Sequence, residues 1–218
     1  MISISLLLTY VAAVFVISGT PGPNMLLAMT HGIRYGWRQA LPTMLGAVGG
    51  VLLILCISMS GLGALLKTSQ ELFTVVKWIG AAYLIYLGIQ MWLEKIEDAS
   101  TDDSDIEAQP TQSTQIPSVL KRLSTGFAVA LSNPKAILFG LAFFPQFITT
   151  NQAIVPQATI LLGIFALIEL SWMLVYASGG TWLKQFLATP RNMRRFNRTS
   201  GSAFILAGVG LGVFGKNH

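Results

Sequence analysis

The sequence predicts an all-α integral membrane protein whose six transmembrane helices form two inverted three-helix repeats, the first helix of each repeat being broken. Three observations lead there. Of 218 residues, 53% are hydrophobic and only 11% are charged, against roughly a quarter charged in a soluble domain, so a water-facing surface cannot be built. Charge-free runs, measured against the roughly 20 apolar residues that a bilayer core requires, give six candidate spans. A polar acidic segment separates the third from the fourth, leaving three spans on either side.

The spans cover residues 2–35, 40–66, 72–93, 123–148, 154–183 and 199–214. Residues 1–30 carry no charged side chain, no basic leader and no clear small-x-small cleavage site, so the first helix is expected to stay in the mature protein. The first span is longer than a straight crossing needs and contains Ser18-Gly19-Thr20-Pro21-Gly22-Pro23-Asn24. Two prolines remove two backbone donors and two glycines weaken the helix. The ladder must therefore open, leaving carbonyls before the break and amides after it. At membrane depth such backbone survives only beside protein or water. In the third span Trp78 and Trp92 are separated by about 21 Å of helix, which suits rings near the two interfaces.

Residues 1–93 form the first repeat, 94–122 a flexible linker, and 123–218 the second repeat. Seven of the nine acids (Glu94, Glu97, Asp98, Asp102, Asp103, Asp105 and Glu107) fall in that linker, which is polar and poor in aromatics and cannot repay its ordering entropy. The fourth span repeats the interruption with Ser132-Asn133-Pro134-Lys135. Three crossings in each half invert the second half in the membrane, and the two broken helices then occupy matching positions. The register of Pro21-Gly22-Pro23 against Asn133-Pro134 stays open. Small residues at four-residue spacing, Gly32/Gly36, Gly46/Gly50 and Gly208/Gly212, let backbones approach closely. Such seams serve contacts within one chain or between chains, so a homo-oligomer stays open.

Ten of the fourteen Lys and Arg residues lie in loops after the first, third and fifth spans: Arg34, Arg38, Lys95, Lys121, Arg122, Lys184, Arg191, Arg194, Arg195 and Arg198. Three, Lys67, Lys77 and Lys216, lie on the opposite side. An excess of basic residues marks the cytoplasmic side, so both termini are expected outside the cell, with the linker inside. The net charge of +5 is dispersed in this way rather than gathered on one face, which argues against nucleic-acid binding. The single cysteine, Cys56, allows neither an intramolecular disulfide nor a multi-cysteine metal site. Residues 210–216, GLGVFGK, imitate the start of a phosphate loop, but Asn217 stands where Ser or Thr is required. Neither histidine, His31 or His218, lies where it could serve a nucleophile such as Ser200, and no cofactor is expected.

Candidate site residues cluster at the interruptions. Half-helices beginning near Met25 and Ala136 would aim positive dipole ends and free amides at the middle of the membrane, where a carboxylate could be held. Simple proline kinks are the alternative. Lys135 and Glu169 are the ionisable residues deepest in their spans, and a charge at a helix centre costs about 2.5 to 3.5 kcal/mol, so neither is expected to face lipid. Lys135 could attract a carboxylate and Glu169 could take an ammonium or exchange a proton; equally, the two could simply pair. Trp172 and Tyr176 share the helix face of Glu169, as packing or as ligands.

Together these residues resemble the LysE/RhtB amino-acid exporters. The resemblance rests on Thr20-Pro21-Gly22-Pro23-Asn24 followed by His31-Gly32 and Gly36, on Ala81 through Gln90, on Asn133-Pro134-Lys135-Ala136 leading to Phe144-Pro145-Gln146-Phe147, and on Asn197-Arg198 with Gly201 and Phe204. It implies a six-helix carrier in a bacterial inner membrane. Such a carrier expels amino acids in exchange for protons, and the homoserine, threonine or leucine branch is the nearer one. The implied substrate-binding set is Ser18, Thr20, Pro21, Gly22, Pro23, Asn24, Asn133, Pro134, Lys135, Glu169, Trp172 and Tyr176, with Glu169 also coupling protons. The long acidic linker departs from the family pattern. A rival expectation is a membrane scaffold that transports nothing and binds a partner through that linker.

Overall fold

A computed structural model describes residues 3–68, 70–93, 116–148, 152–180, 182, 185–186 and 189–214, and among these it is entirely helical. Helices α1 (Ile4–Gly19) and α2 (Pro23–Tyr35) are separated by a break with a 56° bend. Helix α3 (Trp37–Thr68) follows immediately, then α4 (Gln70–Leu93). In the second half α5 (Val119–Leu131) bends by 61° into α6 (Pro134–Leu138), which runs on through a π-helical turn (Phe139–Phe143) and a 3-10 turn (Phe144–Phe147). Helices α7 (Ile154–Ser178) and α8 (Pro190–Phe214) complete the bundle. The acidic stretch 94–115 lies outside the described residues.

Two helices are long and apolar enough to cross a membrane alone, α3 over Trp37–Met59 and α7 over its whole length. The bent pairs α1–α2 and α5–α6 with its continuation also qualify when each is counted as one span. This is a membrane protein's inventory. Exposed Ile4, Leu8, Leu45, Ile57, Val155, Leu167 and Leu206 fit it, because in lipid an outward apolar side chain costs nothing.

Local chemistry explains the boundaries. Ser3 caps α1 through the Leu6 amide, and Ser118 caps α5 through the Lys121 amide at 3.3 Å. That cap starts α5 at Val119, so its first turn takes the last residues of the segment predicted as linker. Gly36 joins α2 to α3 at φ 82°, ψ 151°, a conformation essentially reserved for glycine. A Cβ there would meet nothing within 4 Å, so Gly36 serves the turn and not the helix seam expected of Gly32/Gly36.

Glycine seams do set the closest packing. α3 packs chiefly on α5, and α4 chiefly on α8. A Cβ on Gly126 would come within 1.9 Å of the Thr43 carbonyl oxygen, and one on Gly46 within 2.0 Å of the Leu123 oxygen. Gly88 and Gly201 face each other's carbonyls in the same way. Gly32 lies against the Ala177 backbone, fastening α2 to α7. Between these seams the core is filled by Tyr10, Met25, Met44, Leu55, Phe144, Leu161 and Met173, all fully buried. Tyr10 places its ring edge-on to Phe147 and donates its hydroxyl to the Leu161 carbonyl at 3.0 Å. Ser58 donates to the Gly140 carbonyl inside the π-helical turn, which relieves a backbone group in irregular helix.

Candidate functional site

The two breaks face each other, and one proline opens each of the following half-helices. Pro23 and Pro134 stand in the first turn of α2 and α6, the position where a missing N–H is harmless. Set against each other at these prolines, Gly22 stands opposite Asn133 and Asn24 opposite Lys135. The two ends differ in their caps. Asn133 accepts from the Lys135 amide at 3.0 Å, whereas Gly22 offers α2 no side-chain cap.

The carbonyls before the first break are held by this protein's own donors. Thr20 donates its hydroxyl to the Val16 carbonyl at 3.0 Å. The Lys135 ammonium donates to the Ile17 carbonyl at 3.1 Å and to the Thr20 carbonyl at 2.9 Å. Tyr176 donates its hydroxyl to the Gly19 carbonyl at 2.9 Å, and the Trp172 indole donates to the Phe15 carbonyl at 2.9 Å. Lys135 therefore caps the end of α1, where the helix dipole favours a cation. Trp172 and Tyr176 are neither plain packing nor bystanders, since both satisfy backbone of the broken helix. The lysine stem runs along Gly22, whose absent Cβ would lie 3.3 Å from both Cε and Nζ. A ring of Trp172 likewise fills the space a Cβ on Gly19 would need.

Glu169 lies deep in α7 at 4% exposure, flanked by the side chains of Ser18 and Asn24 and close enough to Lys135 for their charges to interact. The ammonium nevertheless gives two of its three protons to carbonyls of α1. One N–H thus stays available to an acceptor. Ser18 and Asn24 turn polar side chains toward that carboxylate, Asn24 Oδ1 being buried without a partner, and at the second break Asn133 Nδ2 is likewise buried and unpartnered. Buried polar atoms are nearly always paired, so an unpartnered amide atom at each break makes the breaks a candidate polar site.

Sequence reasoning thus located this set but missed a second polar group at the far ends of α2, α3 and α5. His31 Nδ1 lies 2.7 Å from Thr43 Oγ1. Arg122, 5% exposed, donates through Nη1 to the carbonyl of Gln39 and, at 2.9 Å, to its side-chain oxygen. Arg122 was counted only among the loop cations; that it precedes a glycine-bearing helix face was the available signal for burial. Beside the break, Phe15, Gly19, Trp172, Tyr176, Phe196 and Ser200 border an almost wholly apolar hollow of about 250 Å³.

Comparison with known proteins agrees with this architecture. The chain is 34% identical over 200 residues to the homoserine/homoserine lactone efflux protein of Salmonella typhimurium, covering 92% of each chain. It is 32% identical over 201 residues to the leucine efflux protein of Klebsiella pneumoniae, covering 91% of this chain and 90% of the relative. It is also 32% identical over 202 residues to an uncharacterized membrane protein of Vibrio cholerae, covering 93% of this chain and 94% of that one. No solved structure matches. Residues 5–215 match the family described as LysE type translocator, nearly the whole chain, and the protein therefore belongs to that family of transporters rather than to any class of enzyme.

Proposed function

We propose that this protein exports small neutral or hydroxylated amino acids, of the homoserine, threonine or leucine kind, across the bacterial inner membrane in exchange for protons. Family membership and the efflux activities named for its relatives support amino-acid export. One observation carries the mechanism: Lys135, Glu169, Ser18 and Asn24 come together where the two broken helices meet.

The substrate carboxylate takes the remaining N–H of Lys135 together with the uncapped amides that open α2 near Asn24 and Met25, where the helix dipole favours an anion. Its ammonium pairs with the Glu169 carboxylate and accepts help from the free oxygens of Ser18 and Asn24. Binding a zwitterion thereby answers both charges without leaving an isolated charge at depth. The carbonyls of Ile17 and Thr20 belong to Lys135, so recognition of the ammonium falls to Glu169 and the two polar side chains. Pro21, Gly22, Pro23 and Pro134 shape the site through backbone rather than through contact.

Proton coupling follows from competition at Glu169. An incoming proton neutralises the carboxylate and releases the substrate ammonium; losing that proton to the other side restores the site. Alternating access has the three-helix halves, 1–93 and 123–218, rocking about it with the 94–122 segment as tether. An inverted repeat is supported by the neighbour pattern: α3 of the first half packs on α5 of the second, α7 of the second packs on α1 and α2 of the first, and α4 meets α8. In this reading α4 and α8 supply the fifth and sixth crossings, with both termini outside the cell.

Export from right-side-out vesicles preloaded with labelled homoserine, threonine or leucine, under an inward proton gradient, tests the proposal directly. Gradient-driven loss of label from wild-type vesicles is expected, abolished by Glu169→Gln. Equal loss in both, or no loss of any of the three, would overturn it.

A further inference from the structure

We infer that the four arginines opening α8 form a binding site for the phosphodiester headgroup of an anionic membrane phospholipid. Arg191, Arg194, Arg195 and Arg198, with Pro190, line a hollow of about 380 Å³. Their spacing of three, four and seven residues sets them on one face of two helical turns. No Asp or Glu follows Glu169 in the sequence, and the seven acids at 94–107, expected on the same side, lie outside the described residues. Four like charges on one helix face repel one another and persist at a cost unless an anion answers them. Guanidinium forks bind the two non-bridging oxygens of a phosphodiester in pairs, and several forks can share one headgroup.

The surroundings decide between a lipid and a dissolved phosphate. The Arg198 guanidinium lies 5.7 Å from the centre of the Trp92 ring. The Trp92 indole in turn donates to the Arg198 carbonyl at 2.9 Å and to Ser202 Oγ at 3.1 Å. Trp92 is half exposed at the end of α4, the placement of an interfacial tryptophan. On the segment before α8, the exposed rings of Trp182 and Phe186 stack at 5.3 Å. Beyond Ser202 the same face of α8 continues through exposed Leu206 and Val209. One stripe therefore runs from arginine to indole to aliphatic side chain, the order of headgroup, glycerol and acyl chain in a lipid. This site is independent of Lys135 and Glu169 and goes beyond the transport reading.

The test uses the full-length protein, delipidated in a neutral detergent and titrated with short-chain phosphatidylglycerol, short-chain phosphatidylcholine or inorganic phosphate. Binding is read from tryptophan fluorescence and from the rise in melting temperature. Wild type should bind phosphatidylglycerol about tenfold more tightly than phosphatidylcholine, the value of roughly one charge-assisted contact. Replacing Arg191, Arg194 and Arg195 together by Gln should remove the preference. Replacing them by Lys keeps the charge that governs membrane orientation, so folding and insertion are preserved, and should still weaken phosphatidylglycerol about tenfold by removing the forks. Equal affinity for the two lipids, an unchanged preference in the Lys variant, or stabilisation by inorganic phosphate as strong as by phosphatidylglycerol would each overturn the assignment.

Discussion

The ammonium of Lys135 sits 2.9 Å from the carbonyl oxygen of Thr20, so a residue from the second broken helix closes the open end of the first. The two interruptions are thus one structure. Removing the charge while keeping the chain length, as in Lys135→Met, leaves the Ile17 and Thr20 carbonyls without this donor and removes the cation proposed to meet the substrate carboxylate. We expect a loss of about 1 to 3 kcal/mol in stability and at least a tenfold, or about 1.4 kcal/mol, fall in export. Thermal unfolding in detergent and vesicle efflux measure the two separately. Lys135→Arg should not rescue export, because a planar guanidinium fork would replace the compact ammonium that fits between the Ile17 and Thr20 carbonyls.

In the proposed mechanism Glu169 both pairs the substrate ammonium and carries the proton, and a neutral variant separates the two. Glu169→Gln preserves shape and the ability to face Ser18 and Asn24 but cannot carry a proton. Export driven by an imposed proton gradient should fall at least about tenfold, whereas exchange of labelled for unlabelled substrate at equal pH on both sides should persist. Loss of both, with the protein still folded, would assign Glu169 to ammonium binding alone.

The breaks were legible because proline and glycine change the covalent backbone: Pro23 and Pro134 cannot donate wherever the chain puts them, so a half-helix begins at each. Glu169 was legible because an ionised group in a 25-residue apolar helix is costly enough to need a reason. Partners were not. That Trp172 and Tyr176 serve the Phe15 and Gly19 carbonyls depends on where α7 crosses α1, some 157 residues away in sequence, and no periodicity encodes it. The glycines announced close approach without saying to which helix, and Gly36 announced a turn in the same letters. Helix α8 starts at Pro190, nine residues before the span inferred from hydropathy at 199, because arginines are good helix formers that a charge-free window excludes.

Tyr176 should prove structural. Its hydroxyl reaches the Gly19 carbonyl and its ring is buried, so Tyr176→Phe keeps the packing and orphans one carbonyl. Hydrogen bonds between membrane helices contribute about 0.6 kcal/mol on average and about 1.7 at most, which bounds the expected loss of stability. Export should stay within about threefold of wild type, the factor to which the average of about 0.6 kcal/mol corresponds. A collapse of export at unchanged stability would move Tyr176 from the scaffold into the substrate site.

Gly126 and Gly163 make a matched pair. A methyl group on Gly126 would come within 1.9 Å of the Thr43 carbonyl oxygen and within 2.9 Å of the Ala47 amide nitrogen, both backbone atoms that cannot turn aside. Helices α3 and α5 would have to separate, and the polar contacts between Arg122 and Gln39 lie on that same seam. Gly126→Ala should therefore cost at least 1 to 3 kcal/mol, the usual range for overpacking, and reduce the yield of monodisperse protein on size exclusion. A methyl on Gly163 meets nothing within 4 Å. Gly163→Ala removes only a weak helix former, and should leave stability unchanged or raise it by up to about 1 kcal/mol. If both variants behaved alike, the close approach of α3 to α5 would not be what holds the two halves together.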